Sequence, residues 1–133
     1  MSREKIKVLK IDPAKHPKRC YINAAMKAFR DAVNADDIEH GGIEAKKLER
    51  NIYAVFNMDR FLTDLEPNRQ IGDDIISGTI LIVATNDNRM PVSLTEGQLS
   101  KYALRFWNVE TFDDMDFIES NMNKLFARFL KGE

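Results

Sequence analysis

The stretch that most constrains this chain is residues 77–84, Ser-Gly-Thr-Ile-Leu-Ile-Val-Ala, which ends in five consecutive apolar residues. Such a run has no polar face to turn to water, so it reads as a central strand covered on both sides. Gly78, near its start, marks a bulge or a close backbone approach. With 133 residues, 44% of them hydrophobic and 31% charged, the chain has the length of one domain and the composition of a globular one.

The remaining pattern supplies layers to cover that strand. Residues 5–11 alternate polar and apolar and stop at Asp12 and Pro13, predicting a half-buried strand with Ile6, Val8 and Ile11 inward. A basic loop over 13–19 and a short strand at 20–22 lead to Asn23, the expected N-cap of a helix through Asn34. Ile22, Met26, Phe29 and Val33 would form its core stripe. Residues 36–42 read as a turn, 43–48 and 51–57 as strands, and Phe61 and Leu62 as a further short strand. Residues 65–69 read as an irregular segment stiffened by Pro67.

Thr95 and Gln98 fit a capping box with Leu94 and Leu99 as its staple, and Leu99, Tyr102, Ala103 and Phe106 follow on one helix face. Over 113–131, Met115, Ile118, Met122, Leu125 and Phe129 recur at helical spacing. That seam is expected to dock on its own domain, on a second copy as a homodimer, or on a partner. The expected class is α+β: a mixed, mainly antiparallel sheet of about four to five strands, one early helix and a helical C-terminal third. Residues 1–112 would be the domain and 113–133 an amphipathic helix attached to it.

Chemistry is harder to find. Cys20 is the single cysteine, which excludes an internal disulfide, and with His16 and His40 it makes no recognisable zinc site. No metal or other cofactor is expected. The first ten residues lack the apolar segment of a secretory signal. The longest apolar run falls far short of the roughly 20 residues that span a bilayer, so a cytoplasmic protein without membrane partners is expected. There is no glycine-rich phosphate loop, and Ser77 and Ser93 have no histidine nearby. The carboxylate pairs Asp36/Asp37, Asp73/Asp74 and Asp113/Asp114, with Asp116, suit turns and caps. A divalent metal at such a cluster would instead support phosphodiester hydrolysis, which makes a metal-dependent nuclease the enzymatic alternative to a non-enzymatic protein.

Charge divides along the chain: residues 1–30 carry nine bases against two acids, and the rest carries an excess of acids. Three binding surfaces follow. Lys15, Lys18, Arg19, Lys27 and Arg30 are candidate phosphate contacts of a nucleic-acid-binding domain, with only Tyr21 and Phe29 interleaved for stacking. Glu110, Asp113, Asp114, Asp116 and Glu119, in a stretch without a base, are a candidate protein-binding face for a basic channel. Asn68, Arg69, Gly78 and Thr79 are candidates for a pocket that sequesters a nucleotide signal, since arginine reads phosphate in bidentate fashion. Arg69 has a second reading, in which it satisfies loop carbonyls or pairs with Asp73 or Asp74.

Leu65 to Arg69, the Asp73-Asp74-Ile75-Ile76-Ser77-Gly78-Thr79 stretch, the strand to Val83, and Ser93-Leu94-Thr95-Glu96 running on to Phe106 together resemble an uncharacterised domain family. That family is found in phages and conjugative elements of Gram-positive gut bacteria. The likeness spans about residues 4–112; the segment 34–40 departs from it as an insertion, and the turn after Asn57 lacks the glycine usual there. Relatives are similar to parts of mobile-element proteins that also carry antirestriction modules. The resemblance implies a non-enzymatic anti-defence inhibitor that binds a host defence protein or its nucleic-acid complex, a CRISPR nuclease or restriction enzyme first.

Overall fold

The computed structural model describes residues 4–34, 42–58, 65–113 and 122. β1 (Lys5–Ile11) and β2 (Lys18–Asn23) form a hairpin, followed by α1 (Met26–Ala32). β3 (Ile43–Glu49) and β4 (Ile52–Asn57) form a second hairpin, β5 (Pro67–Ile71) and β6 (Asp74–Ser77) a third. β7 (Ile80–Thr85), β8 (Pro91–Val92) and α2 (Glu96–Arg105) complete the described elements. The main sheet has the order β2-β1-β7-β4-β3, with β8 also paired to β7, and every pairing in it is antiparallel.

The five-residue apolar run becomes β7, bonded to β1 on one side and β4 on the other. Its pleat sends Ile80, Ile82 and Ala84 into one core and Leu81 and Val83 into the other. The first core lies under the β5–β6 hairpin and α2, and includes Leu9, Phe56, Ile71, Ile76, Leu99, Tyr102 and Phe106. The second lies under α1, where Phe29 and Val33 meet Ile6, Val8 and Val55. Fully burying each such side chain contributes about 1.5–3 kcal/mol, which is why a strand with no polar face is tolerated only at the centre.

Several expectations are corrected. The main sheet has six strands among the described residues, with the β5–β6 hairpin beside it as a second sheet. Residues 67–71 are a strand, β5, because Pro67 occupies its first position, where proline is accommodated. The run 77–84 is not one strand: Gly78 at φ +79° turns the chain from β6 into β7. Asn23 ends β2, and α1 starts later, at an Ala25 N-cap without a side-chain cap. Met26 accordingly stands 54% exposed, while Phe29 and Val33 of the predicted stripe are buried in the second core and Ile22 packs against it from β2. The short strand around Phe61 and Leu62 lies outside the described residues, as do all but Asp113 and Met122 of the expected C-terminal helix. The described residues carry α1 and α2 and do not support a helical C-terminal third.

Candidate functional site

Arg69 leaves β5 toward the interior and is fully buried. Its Nε and Nη2 donate to the Phe106 carbonyl at 3.1 and 3.0 Å, just past α2, and Nη2 also donates to the Lys15 carbonyl at 2.8 Å. Nη1 donates to the Asn68 side-chain oxygen at 2.8 Å and to the Asn68 carbonyl at 3.4 Å. A guanidinium carries five N–H groups, and these contacts use all of them. Asn68 in turn donates to the carbonyls of Ile11 and Gly78, at 2.7 and 2.8 Å. Burial pulls Arg69 below its ordinary pKa, and the Glu110 carboxylate opposes that shift.

The four residues predicted to bind a nucleotide thus come together as a clasp within the fold. Thr79 donates to the Asp12 carboxylate at 2.6 Å, and a side chain at Gly78 would run into Leu65. Of the two readings of Arg69, the geometry is that of an arginine satisfying loop carbonyls. An open groove of about 490 Å³ lies elsewhere, against α1, lined by Asn23, Met26, Lys27 and Asp31 among others.

Directly outside the clasp is an exposed group that the sequence reading did not single out. The His16 ring lies on the Trp107 ring, centroids 4.1 Å apart and planes within 6°. His16 Nδ1 lies 2.6 Å from the Trp107 carbonyl, placing the proton of that bond on the imidazole. Trp107 is 48% exposed, Leu104 79% and Val109 39%. Glu110 follows, half-buried, its carboxylate accepting the Gln70 N–H at 3.1 Å. The only sequence signal was a lone tryptophan between an amphipathic helix and an acidic stretch; His16 is 91 positions away.

Of the predicted protein-binding acids, the half-buried Glu110 and the exposed Asp113 follow Trp107 and Val109 closely in the chain. Asp114, Asp116 and Glu119 lie outside the described residues. The predicted phosphate contacts are divided between faces. Arg19 is on the α2 side of the sheet, 2.5 Å from Glu96, and Lys27 pairs with Asp31 on α1 at 3.1 Å. Lys18 lies across from Lys10 on the α1 side, and Lys15 is in the β1–β2 loop. Arg30 is half-buried on α1, its Nε without a hydrogen bond among the described residues.

Two further polar contacts anchor α2. Tyr102 donates to Glu49, which also receives Lys101 at 2.9 Å. Burial, then that hydrogen bond, pushes the Tyr102 phenol up to about 12, while Tyr102 and Lys101 together hold Glu49 below its usual range. At the other end, Arg19 and then Lys7 hold the Glu96 carboxylate low. Among the described residues no three His, Cys, Asp or Glu side chains converge as metal ligands, and no helix is long and apolar enough to cross a membrane.

A family profile described as a domain of unknown function, DUF3846, matches residues 6–106. That span runs from the first core residue of β1 to the carbonyl held by Arg69. No curated protein and no solved structure matches the chain.

Proposed function

The chain belongs to the DUF3846 family of domains of unknown function, and on that premise we propose that it is a non-enzymatic binding module whose contact surface is centred on Trp107. The observation that carries this reading is the exposure of Leu104, Trp107 and Val109 within six positions of the chain, followed directly by Glu110 and then Asp113. Exposed apolar side chains grouped at one place mark interaction sites, and tryptophan is enriched among the residues that dominate interface energy. Trp107 is held by its stack on His16, so less side-chain freedom is lost when a partner covers it.

The acids beside it select a partner with a basic surface, and charge complementarity of that kind raises association rate and selectivity. A protein that handles nucleic acid presents such a surface. The resemblance to proteins of phages and conjugative elements supports a host defence nuclease, CRISPR-associated or restriction, as the one inhibited in the cytoplasm. Protection of phage or plasmid in interference assays against a panel of defence systems tests this. We expect protection against at least one system, abolished by Leu104→Asp, a change at a side chain that is 79% exposed and should lower the melting temperature only slightly, through the helix terminus it occupies. Absence of protection throughout the panel would reject the inhibitory role, and an unaffected Leu104→Asp protein would reject the surface.

A further inference from the structure

Among the described residues the outer side of β2 is an open sheet edge, and its hydrogen-bonding groups can be assigned. Lys7 of β1 points its N–H at the Ser93 hydroxyl and its carbonyl at the Leu94 N–H, both on the side away from β2. Bonding direction alternates along an antiparallel strand. Ile6, Val8 and Lys10 therefore face β2, where they oppose Ile22, Cys20 and Lys18. Arg19 and Tyr21 then direct their N–H and carbonyl groups outward, and among the described residues no backbone group pairs with them. All six pairs between β1 and β2 are in continuous register. The opposite edge, β3, is interrupted by a register shift between Lys47 and Glu49, an irregularity that disfavours strand addition.

Charge on this edge is unbalanced. Lys10 and Lys18 are direct cross-strand partners on the α1 side of the sheet, and neither has an ion-pair partner among the described residues. Like charges in that position are destabilising. On the α2 side, Tyr21 is 62% exposed, with the Lys7 ammonium 5.9 Å from its ring centroid. A second copy of the chain would bring a second lysine pair to the same edge.

We propose that β2 receives an extended, acidic segment of a partner protein as an additional antiparallel strand. The outward groups of Arg19 and Tyr21 form its ladder, one of its carboxylates sits beside Lys18, and a side chain on the opposite face covers Tyr21. Strand addition of this type draws affinity from main-chain bonds and specificity from alternate side chains. This surface is separate from the one centred on Trp107 and does not depend on it.

The test uses the full chain and an acetylated decapeptide alternating glutamate with valine, with amide hydrogen exchange as the readout. The peptide should slow exchange of the Arg19 and Tyr21 amides at least tenfold and leave the Val8 and Cys20 amides, bonded within the hairpin, unchanged. The same peptide with lysine for glutamate should give no protection, and Lys18→Glu should weaken the glutamate peptide at least tenfold. Unprotected Arg19 and Tyr21 amides, or equal protection by the lysine peptide, would overturn the proposal. Protection that rises with protein concentration and without peptide would overturn it in favour of a second copy.

Discussion

His16 and Trp107 are bound to each other twice, through rings 4.1 Å apart and through the imidazole bond to the Trp107 carbonyl. The pair joins the β1–β2 loop to the end of α2 directly above the Arg69 clasp. Because Trp107 is the chain's single tryptophan, tryptophan emission reports on the surroundings of this one ring. His16→Ala should shift that emission to longer wavelength and cost about 1 kcal/mol for the lost hydrogen bond. An unchanged spectrum would contradict the stacked geometry.

Arg69→Met should be among the most destabilising substitutions in the chain. It leaves the buried Phe106 carbonyl without its donors, at a cost of about 1–3 kcal/mol, and removes the part-buried bond to the Lys15 carbonyl as well. Arg69→Lys retains the charge but not the planar fork, so it should recover only part of the loss. Urea unfolding of the three proteins measures both effects.

Gly78→Ala meets two obstacles. The backbone is at φ +79°, and an added Cβ would lie 3.0 Å from Leu65 Cδ1. The left-handed conformation alone costs about 1–2 kcal/mol for a residue with a side chain. The double variant with Leu65→Ala should remove the contact while keeping the backbone strain, separating the two contributions in thermal melts.

The Tyr102 phenol predicts loss of stability in alkali. Its folded value, about 12, stands above the ordinary 10, so the unfolded chain gives up this proton first. The associated stability is complete below pH 10 and declines as pH rises toward 12. Glu49 and Glu96 have the opposite sign: both are held below the usual 4.5, so their contribution is lost as pH falls beneath that value. Tyr102→Phe should flatten the alkaline limb of a stability profile and leave the Glu96 part of the acid limb in place.

What could be read from the sequence was local or periodic. β7 at the centre follows from a run without a polar face, and the capping box of Thr95 and Gln98, which the structure contains, from two residues three positions apart. β5 was hidden because proline reads as a strand breaker, although it is harmless at a first position. Arg69 carried two readings because its partners, other than Asn68, are backbone carbonyls. A carbonyl belongs to every residue, so no second residue type in the sequence marks where an arginine of this kind will bond. The Trp107 surface depends on His16, which only the hairpin and α2 bring near.

The Arg69 clasp also bears on how long the native state lasts. Its bonds to Lys15 and Phe106 close chain segments of 54 and 37 positions, and contacts that enclose long loops are rewarded only after the intervening chain has been ordered. The hairpins enclose shorter loops and can form before the clasp does, so Arg69→Met, as the loss of a contact made late, should speed unfolding more than it slows folding in stopped-flow measurements. Interactions of that kind govern the rate of unfolding and leave the rate of folding nearly untouched. On that expectation the guanidinium would act as a latch on the lifetime of the folded domain.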